Sequence, residues 1–307
     1  MQQLEIRKAV RRALPMQIGF YGPSGSGKTM SALLFAAGLA GPNGKVVVID
    51  TERGRGELYA DNKRVLAALP QGYDVVTLDQ PYHPKRFVEA IDLCEKAGYS
   101  FCLIDSESDS WDGPGGCSDI TEENKGRWNK AKLANKKMKT RIALSDMHVL
   151  SLFKAQEKTK IIDKAKSATG KEEVVSLGIL PISEKNAFYP MLLGFSLEPN
   201  THLATAVKYH EDLGYLFKEP KLLTKEDGEK VRLWNQGAKP LEPGEQVIKR
   251  ARVAAEGGTE TYRAFFLDLT SAQKKLVQPF HEENKFIAEQ ADLEAKAAQG
   301  SDNEPLS

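Results

Sequence analysis

One stretch constrains this chain more than any other. Residues 18–21 are a short apolar run, residues 22–29 read Gly-Pro-Ser-Gly-Ser-Gly-Lys-Thr, and residues 30–40 are apolar and helix-forming. This is the G-x-x-x-x-G-K-[ST] phosphate loop in the setting it requires, with a strand before it and a helix after it. Gly22, Gly25 and Gly27 permit backbone angles that a side chain forbids, so successive N–H groups can point into one concavity. The helix behind the loop adds the partial positive charge of its N-terminus. Gly22, Pro23, Ser24, Gly25, Ser26, Gly27, Lys28, Thr29 and Met30 are the candidate cradle for nucleotide phosphates. Lys28 is placed to reach the β- and γ-phosphates, and the Thr29 hydroxyl to hold Mg2+.

The rest of the first half alternates strand with helix. Residues 45–50 (KVVVID) are a β-branched run of the kind buried on both faces of a sheet. A Gly/Arg-rich loop (53–56) and a helical stretch (57–69) follow, then a strand at 73–78, a helix at 84–97 and a strand at 99–105 (YSFCLID). A Gly-rich bend at 106–116 leads to a long helix predicted at 124–146. A fifth strand is expected at 148–153, ending in Lys154, Ala155 and Gln156. Residues 157–178 are polar and Lys-rich and read as a long mobile loop. Further strands are expected at 191–197 and 203–209. This order predicts an α/β fold, a P-loop core with a predominantly parallel sheet and right-handed crossovers, plus a small C-terminal helical segment. The expected organisation is a basic N-terminal arm at 1–15, a core at 16–240 and a helical segment at 241–298, with helices at 245–255, 260–269 and 271–298. A disordered tail is expected at 299–307.

Composition narrows the class. With 307 residues and a formal net charge of +1, the chain has room for one large domain and a small one, and any nucleic-acid surface must be local. Cys94, Cys102 and Cys117 are odd in number and lack zinc-site spacing, which suits a reduced protein without structural disulfides. No apolar run approaches the length of a membrane span. The basic residues Arg7, Lys8, Arg11 and Arg12 precede no continuous apolar core, so the start does not read as a secretory signal. They form either a basic arm or a solvated helix closing the edge of the first strand. A cytoplasmic protein with no membrane contact is expected.

In parallel sheets ligands bind at the carboxyl ends of the strands. Asp105 ends an apolar strand, the Walker B arrangement, and its carboxylate would orient the Mg2+ held by Thr29. A turn aspartate after a strand is the plain alternative. The residue after it is Ser106, so a water-activating acid must come from elsewhere. Glu52, closing the strand that follows the phosphate-loop helix, is preferred on geometry; Glu107 is the competitor. A pairing of Glu52 with Arg53 or Arg55 is the structural alternative. Gln156, at the end of the fifth strand, is a candidate sensor of the γ-phosphate that would pass its state to the following loop; it is otherwise an ordinary polar strand end. Lys208 is a candidate finger toward a neighbouring subunit's nucleotide.

Taken together, GPSGSGKT, VVVIDTE, CLIDSES with WDGPGG, and HVLSLFKAQEK resemble the RecA-like fold. Within it the chain is most similar to a phage-type family of P-loop ATPases associated with single-strand annealing and recombination. The likeness runs from about residue 17 to 234. It implies ATP and Mg2+ as cofactors, Glu52 as the residue that activates water, Gln156 as the nucleotide sensor, and residues 157–178 as the contact to single-stranded DNA. It also implies self-association into an oligomer, ring or filament, a bacterial-host cytoplasm, and a single-strand-binding protein as a further candidate partner. The chain shows no separate assembly domain of the bacterial recombinase kind ahead of its core.

Independent of that likeness, two basic segments could neutralise nucleic-acid phosphates: Lys125, Arg127, Lys130, Lys132, Lys136, Lys137, Lys139 and Arg141, and then Lys158, Lys160, Lys164, Lys166 and Lys171. Trp128 or Phe153 could stack on bases, although both also suit a core. Lysine-rich helix faces are often merely solvated. Two other readings stay open: a nucleotide-dependent scaffold or motor subunit working through the C-terminal helices, and a small-molecule P-loop kinase, against which stands the lack of a compact Arg-rich lid.

Overall fold

The structure is a computed structural model that describes residues 8–162, 173–237, 239–240 and 243–300. In chain order its strands are β1 (Arg12–Ala13), β2 (Gln17–Gly22), β3 (Val46–Asp50), β4 (Asp74–Thr77), β5 (Phe101–Asp105), β6 (His148–Ile162), β7 (Glu173–Pro181), β8 (Leu193–Leu197), β9 (Ala204–Lys208) and β10 (Lys239–Pro240). Its α-helices are α1 (Lys28–Ala40), α2 (Lys63–Ala68), α3 (Pro84–Lys96), α4 (Asp109–Asp112), α5 (Cys117–Glu123), α6 (Asn129–Ala143), α7 (Gly214–Phe217), α8 (Lys225–Gln236), α9 (Pro243–Glu256), α10 (Thr259–Asp268), α11 (Ser271–Val277) and α12 (His281–Gly300). The main sheet runs β4-β3-β5-β6-β2-β8-β9, with β7 beside β6. Its pairs are parallel except β6–β7 and β8–β9. This is the mixed α/β architecture with a mostly parallel central sheet and C-terminal helices that the alternation of apolar runs requires.

The strands are apolar throughout because both faces are covered. Phe20, Leu33, Phe35, Val48, Leu103, Leu150 and Phe195 belong to the core on the α1 side. Val47, Ile49, Phe87, Ile91, Cys102, Ile104 and Met138 belong to the core under α3 and α6. A separate core of Val247, Ala251, Ala255, Tyr262, Val277 and Ala288 joins the C-terminal helices to one another. Among the described residues no helix is long and apolar enough to cross a membrane.

Several expectations need correction. The long helix expected at 124–146 is α6 alone, beginning at Asn129: Lys125 and Gly126 take positive φ of 53° and 78° and separate it from α5. Residues 157–178 are not one loop. β6 continues unbroken through Gln156 to Ile162 and returns as β7, so residues 157–162 and 173–178 form the two sides of an antiparallel hairpin; residues 163–172 lie outside the described residues. The last helix is two helices, divided by the turn at Gln278–Phe280 that carries Pro279. The N-terminal arm is no helix in its described part. Arg12–Ala13 pairs with Lys239–Pro240, and Arg11 lies over the Trp234 ring at 4.3 Å while donating to the Trp234 carbonyl at 2.7 Å. The tail beyond residue 300 lies outside the described residues, as do residues 1–7.

Helix α8 escaped the sequence reading because its apolar content is low and Gly228 sits inside it. That glycine is what lets it form here. α8 crosses α1 at contact distance through Gly38 and Gly228: a Cβ on Gly228 would lie 2.0 Å from the Phe35 carbonyl, and one on Gly38 1.8 Å from that of Lys225. A Thr224–Asp227 capping box starts the helix, and buried Asp227 also binds Lys221 at 2.5 Å. Gly228→Ala is expected to force the two helices apart and cost about 2–3 kcal/mol, the upper range for overpacking. Urea unfolding checks this; an unchanged midpoint would show that the crossing yields easily.

Candidate active site

Sheet register assembles the site. Gly22, at the end of β2, pairs with Lys154 on β6, and Asp50, at the end of β3, pairs with Asp105 on β5. The carboxyl ends of four neighbouring strands therefore carry the phosphate loop, Lys154, Asp105 and the Asp50–Glu52 turn. Gly25 and Gly27 in the loop both have φ of +79°, conformations that glycine adopts without penalty. Gly22 leaves no room for a side chain: a Cβ there would be 2.5 Å from Ser26 Oγ and 2.7 Å from the Leu197 carbonyl. Gly27 caps α1, whose first turn contains Lys28, Thr29 and half-buried Met30. Pro23 is half-buried, while Ser24 and Gly25 are exposed at the mouth. Lys28 Nζ donates to the carbonyls of Gly22 and Pro23, each at 3.0 Å.

Thr29 Oγ1 donates to Asp105 Oδ2 at 2.6 Å. This contact joins the two residues that the sequence reading assigned to the metal. Two hard oxygen donors at the floor of a phosphate loop fit Mg2+, which takes one or two protein oxygens and keeps the rest of its shell for phosphate and water. The buried Ser26 hydroxyl, which has no hydrogen-bond partner among the described residues, is a further polar group within the cradle.

Glu52 is held by its neighbours. Asp50, itself buried, accepts from the backbone N–H of Glu52 (2.6 Å), Gly54 (2.7 Å) and Gly56 (3.3 Å) and so folds the 52–56 turn. Tyr82 Oη donates to the Thr51 carbonyl at 2.8 Å and Tyr73 Oη to that of Gly56 at 2.5 Å. The Glu52 carboxylate lies 3.5 Å from Arg55 and 3.7 Å from Lys154 Nζ. Glu107 is placed differently. Its side chain is 2% exposed and paired with Lys139 of α6. Lys154 also binds Asp109 at 2.7 Å, and Asp109 accepts from Thr51 Oγ1 at 2.6 Å. Glu52, Lys154, Asp109 and Thr51 thus form one chain of charges and hydrogen bonds beside the loop.

The other expected residues stand further off. Gln156 is exposed, opposite Leu180 within the hairpin, so the strand-end position beside the loop belongs to Lys154 instead. Lys208 sits at the other end of the sheet from its own phosphate loop, donating to the carbonyls of Phe188 (3.1 Å) and Tyr189 (2.5 Å). The sequence reading assigned no role to Lys154, Asp109 or Asp50. The hint was a Lys and two Asp residues near strand ends, which becomes specific only once strand pairing is known. Phe153 is fully buried; Trp128 is exposed and stacks on Trp111 at 5.3 Å.

Electrostatics mark the site. Burial pushes the Asp105 carboxyl up to about 6, against the Thr29 hydrogen bond and with help from nearby Glu52. Burial likewise lowers the Lys28 pKa, against the pull of Asp105 and Glu52 and assisted by Lys154. For Lys154 burial works against the charge, but Asp109 and Glu52 outweigh it and raise the pKa. Residues 14–176 of the chain match the family model described as an AAA domain, a span of more than half the chain that contains every residue of this site. No curated protein matches the chain.

The Asp105 shift carries a stability prediction. Its folded-state pKa of about 6 exceeds the ordinary 3.8, so the buried charge weakens the fold as pH rises through that window, and stability returns as pH falls. Asp105→Asn, which keeps an acceptor for Thr29, is expected to stabilise the nucleotide-free protein at pH 7 by up to about 3 kcal/mol. The gain should vanish near pH 4. Urea unfolding across that range checks it, and a gain independent of pH would refute the buried-charge account.

Proposed function

The chain belongs to the AAA-domain family of P-loop proteins, and from that premise we propose that it binds ATP with Mg2+ and hydrolyses it at the loop of Gly22–Thr29, acting on single-stranded DNA in phage-type recombination or annealing. The observation that carries the hydrolysis is the 2.6 Å contact of Thr29 with Asp105, with Glu52 beside it at the open edge of the site. Thr29 and Asp105 would hold Mg2+, which when bound neutralises phosphate charge. Lys28, which rests on two loop carbonyls, would turn its ammonium to the β- and γ-phosphates. Glu52 is the general base: its carboxylate lies near Arg55 and Lys154, its backbone is held by Asp50, and it is more accessible than Glu107. It accepts the proton of a water directed at the γ-phosphate.

Support for the DNA part of this reading comes from the hairpin. Strand β6 carries Lys154 at the site and, two residues on, Gln156 at the base of the arm. Nucleotide state sensed there would pass along one continuous strand toward Lys158. The basic residues of α6 support it less. Lys139 is paired with Glu107, Arg141 with Glu95 (2.5 Å) and Asp92 (2.8 Å), and Lys136 with Glu294 (3.9 Å). Lys164, Lys166 and Lys171 lie outside the described residues. Assembly into a ring or filament remains part of the proposal.

The test is steady-state ATPase rate with and without single-stranded DNA. Lys28→Ala should abolish turnover by loss of nucleotide binding. Glu52→Gln should keep ATP affinity and lower kcat by about 10²–10⁴-fold, the range for a general base. Single strands should stimulate the wild type. A rate indifferent to DNA, still lost in both variants, would leave the ATPase standing and remove the recombination reading in favour of a motor or scaffold acting on proteins. Full activity in Glu52→Gln would remove Glu52 as the base.

A further inference from the structure

The acids and the second lysine of the site all lie on one side of β2. Asp105 is on β5, Glu52 follows β3 and Lys154 is on β6. A triphosphate lying in the loop with its terminal phosphate toward that set must run its other end over the opposite side, where β8 neighbours β2. One feature stands there, the turn joining β8 to β9. It begins against the loop, since the Leu197 carbonyl would meet a Cβ on Gly22, and it ends with His202 against Gly27: a Cβ on Gly27 would lie 3.3 Å from His202 Nδ1.

This turn is built more firmly than a connection needs. Glu198 accepts from Thr201 N and Thr201 Oγ1, each at 2.6 Å, and from Asn200 Nδ2 at 3.0 Å. The backbone closes it twice, Glu198 N donating to the Leu203 carbonyl (3.0 Å) and His202 N to that of Glu198 (2.9 Å). His202 takes the left-handed conformation, φ +57°, which is uncommon outside glycine and concentrates at ligand clamps. The imidazole is exposed, and no group among the described residues takes up its ring nitrogens. A strained backbone held by a carboxylate thus presents an uncommitted aromatic ring beside the phosphate loop.

We infer that His202 forms the base subsite of the nucleotide, its ring stacking on the nucleobase of a nucleoside triphosphate whose phosphates occupy the loop. The inference rests on the ATP reading above. His202 lies beyond the family-matched span of residues 14–176, so the subsite is a property of this chain's second half.

Calorimetric titration of the full chain with Mg-ATP and, separately, with Mg-tripolyphosphate tests it. His202→Asn tolerates the left-handed backbone but removes the ring; it should weaken ATP about tenfold, the order of base-on-ring stacking, and leave tripolyphosphate unchanged. His202→Phe should keep ATP affinity within about twofold, since it restores a stacking face. Unaltered ATP affinity in His202→Asn overturns the inference. So does an equal loss for ATP and tripolyphosphate, which would make His202 a phosphate contact. If the wild type binds neither ligand, or Lys28→Ala leaves both affinities intact, the ATP reading itself falls and the subsite with it. Retained tripolyphosphate binding in both His202 variants serves as the control for folding.

Discussion

The register of the parallel strands is the constraint from which the rest follows. A ligand site at the edge of a parallel sheet needs strand ends that stop level with one another. Here β2 ends level with Lys154, and β3 ends level with β5. A slip of one residue in β5 would turn Asp105 from Thr29 to the opposite face and bring Ile104 to the site. What fixes the register is burial on both faces. Val46–Ile49 and Cys102–Ile104 have no solvent-facing side to exchange with the core side, so their alternate side chains must mesh with α1 on one face and with α3 and α6 on the other. The geometry of the chemistry is set by packing well away from it.

The charges show which ion pairs serve the fold alone. Arg141, Glu95 and Asp92 are matched. Burial opposes the charge on Glu95, yet Arg141 and Ser145 hold its pKa below the usual range, while the same carboxylates raise that of Arg141. Each partner stabilises the other's charged form, and the cluster ties α3 to α6. At the phosphate loop the shifts run the other way. Asp105 is raised and Lys28 lowered, so each resists the charge that its chemistry requires. On the proposed reading, the buried acid and the half-buried lysine are left short of compensation within the protein because an outside partner supplies it. Phosphates and a divalent cation are complementary to both.

The sequence made some of this plain and hid the rest for physical reasons. The phosphate loop, β3 and β5 were legible because their signals are local: a loop grammar, a β-branched run, a terminal acid. Lys154 was not, because its role depends on lying beside Gly22, more than a hundred residues away in the chain. The hairpin reads as a loop because lysines alternate with β-branched residues along β6, and composition masks the period of two. α8 is hidden in the sequence because glycine usually weakens a helix, whereas here it admits the backbone of α1. The basic stretch of α6 misled in the opposite sense. A count of lysines in sequence says nothing of the acids that folding brings opposite them, and Glu107, Glu95, Asp92 and Glu294 all come from elsewhere in the chain.

That redistribution changes where a nucleic-acid surface can be sought. With Lys139 and Arg141 committed to interior pairs, α6 works as a strut between α3, the acidic segment after β5 and the C-terminal helices. The hairpin remains, and its attachment matters more than its charge. At Lys154 the backbone is clamped on both sides: Lys154 N donates to Ser108 Oγ at 3.0 Å, Ser108 Oγ donates to the Ile182 carbonyl at 2.7 Å, and Ile182 N donates to the Lys154 carbonyl at 2.8 Å. Ser108 in turn lies between Asp105 and Asp109. Both strands of the arm are therefore fastened to the segment that carries Asp105 and the partner of Lys154. β6 runs from the sheet into the arm as one strand, its pairing with β7 shifting register between Glu157 and Thr159, and on the proposed reading a shift of that segment is carried outward along it. On the proposed reading, sensing and response share one piece of backbone, and no separate moving part is required between them.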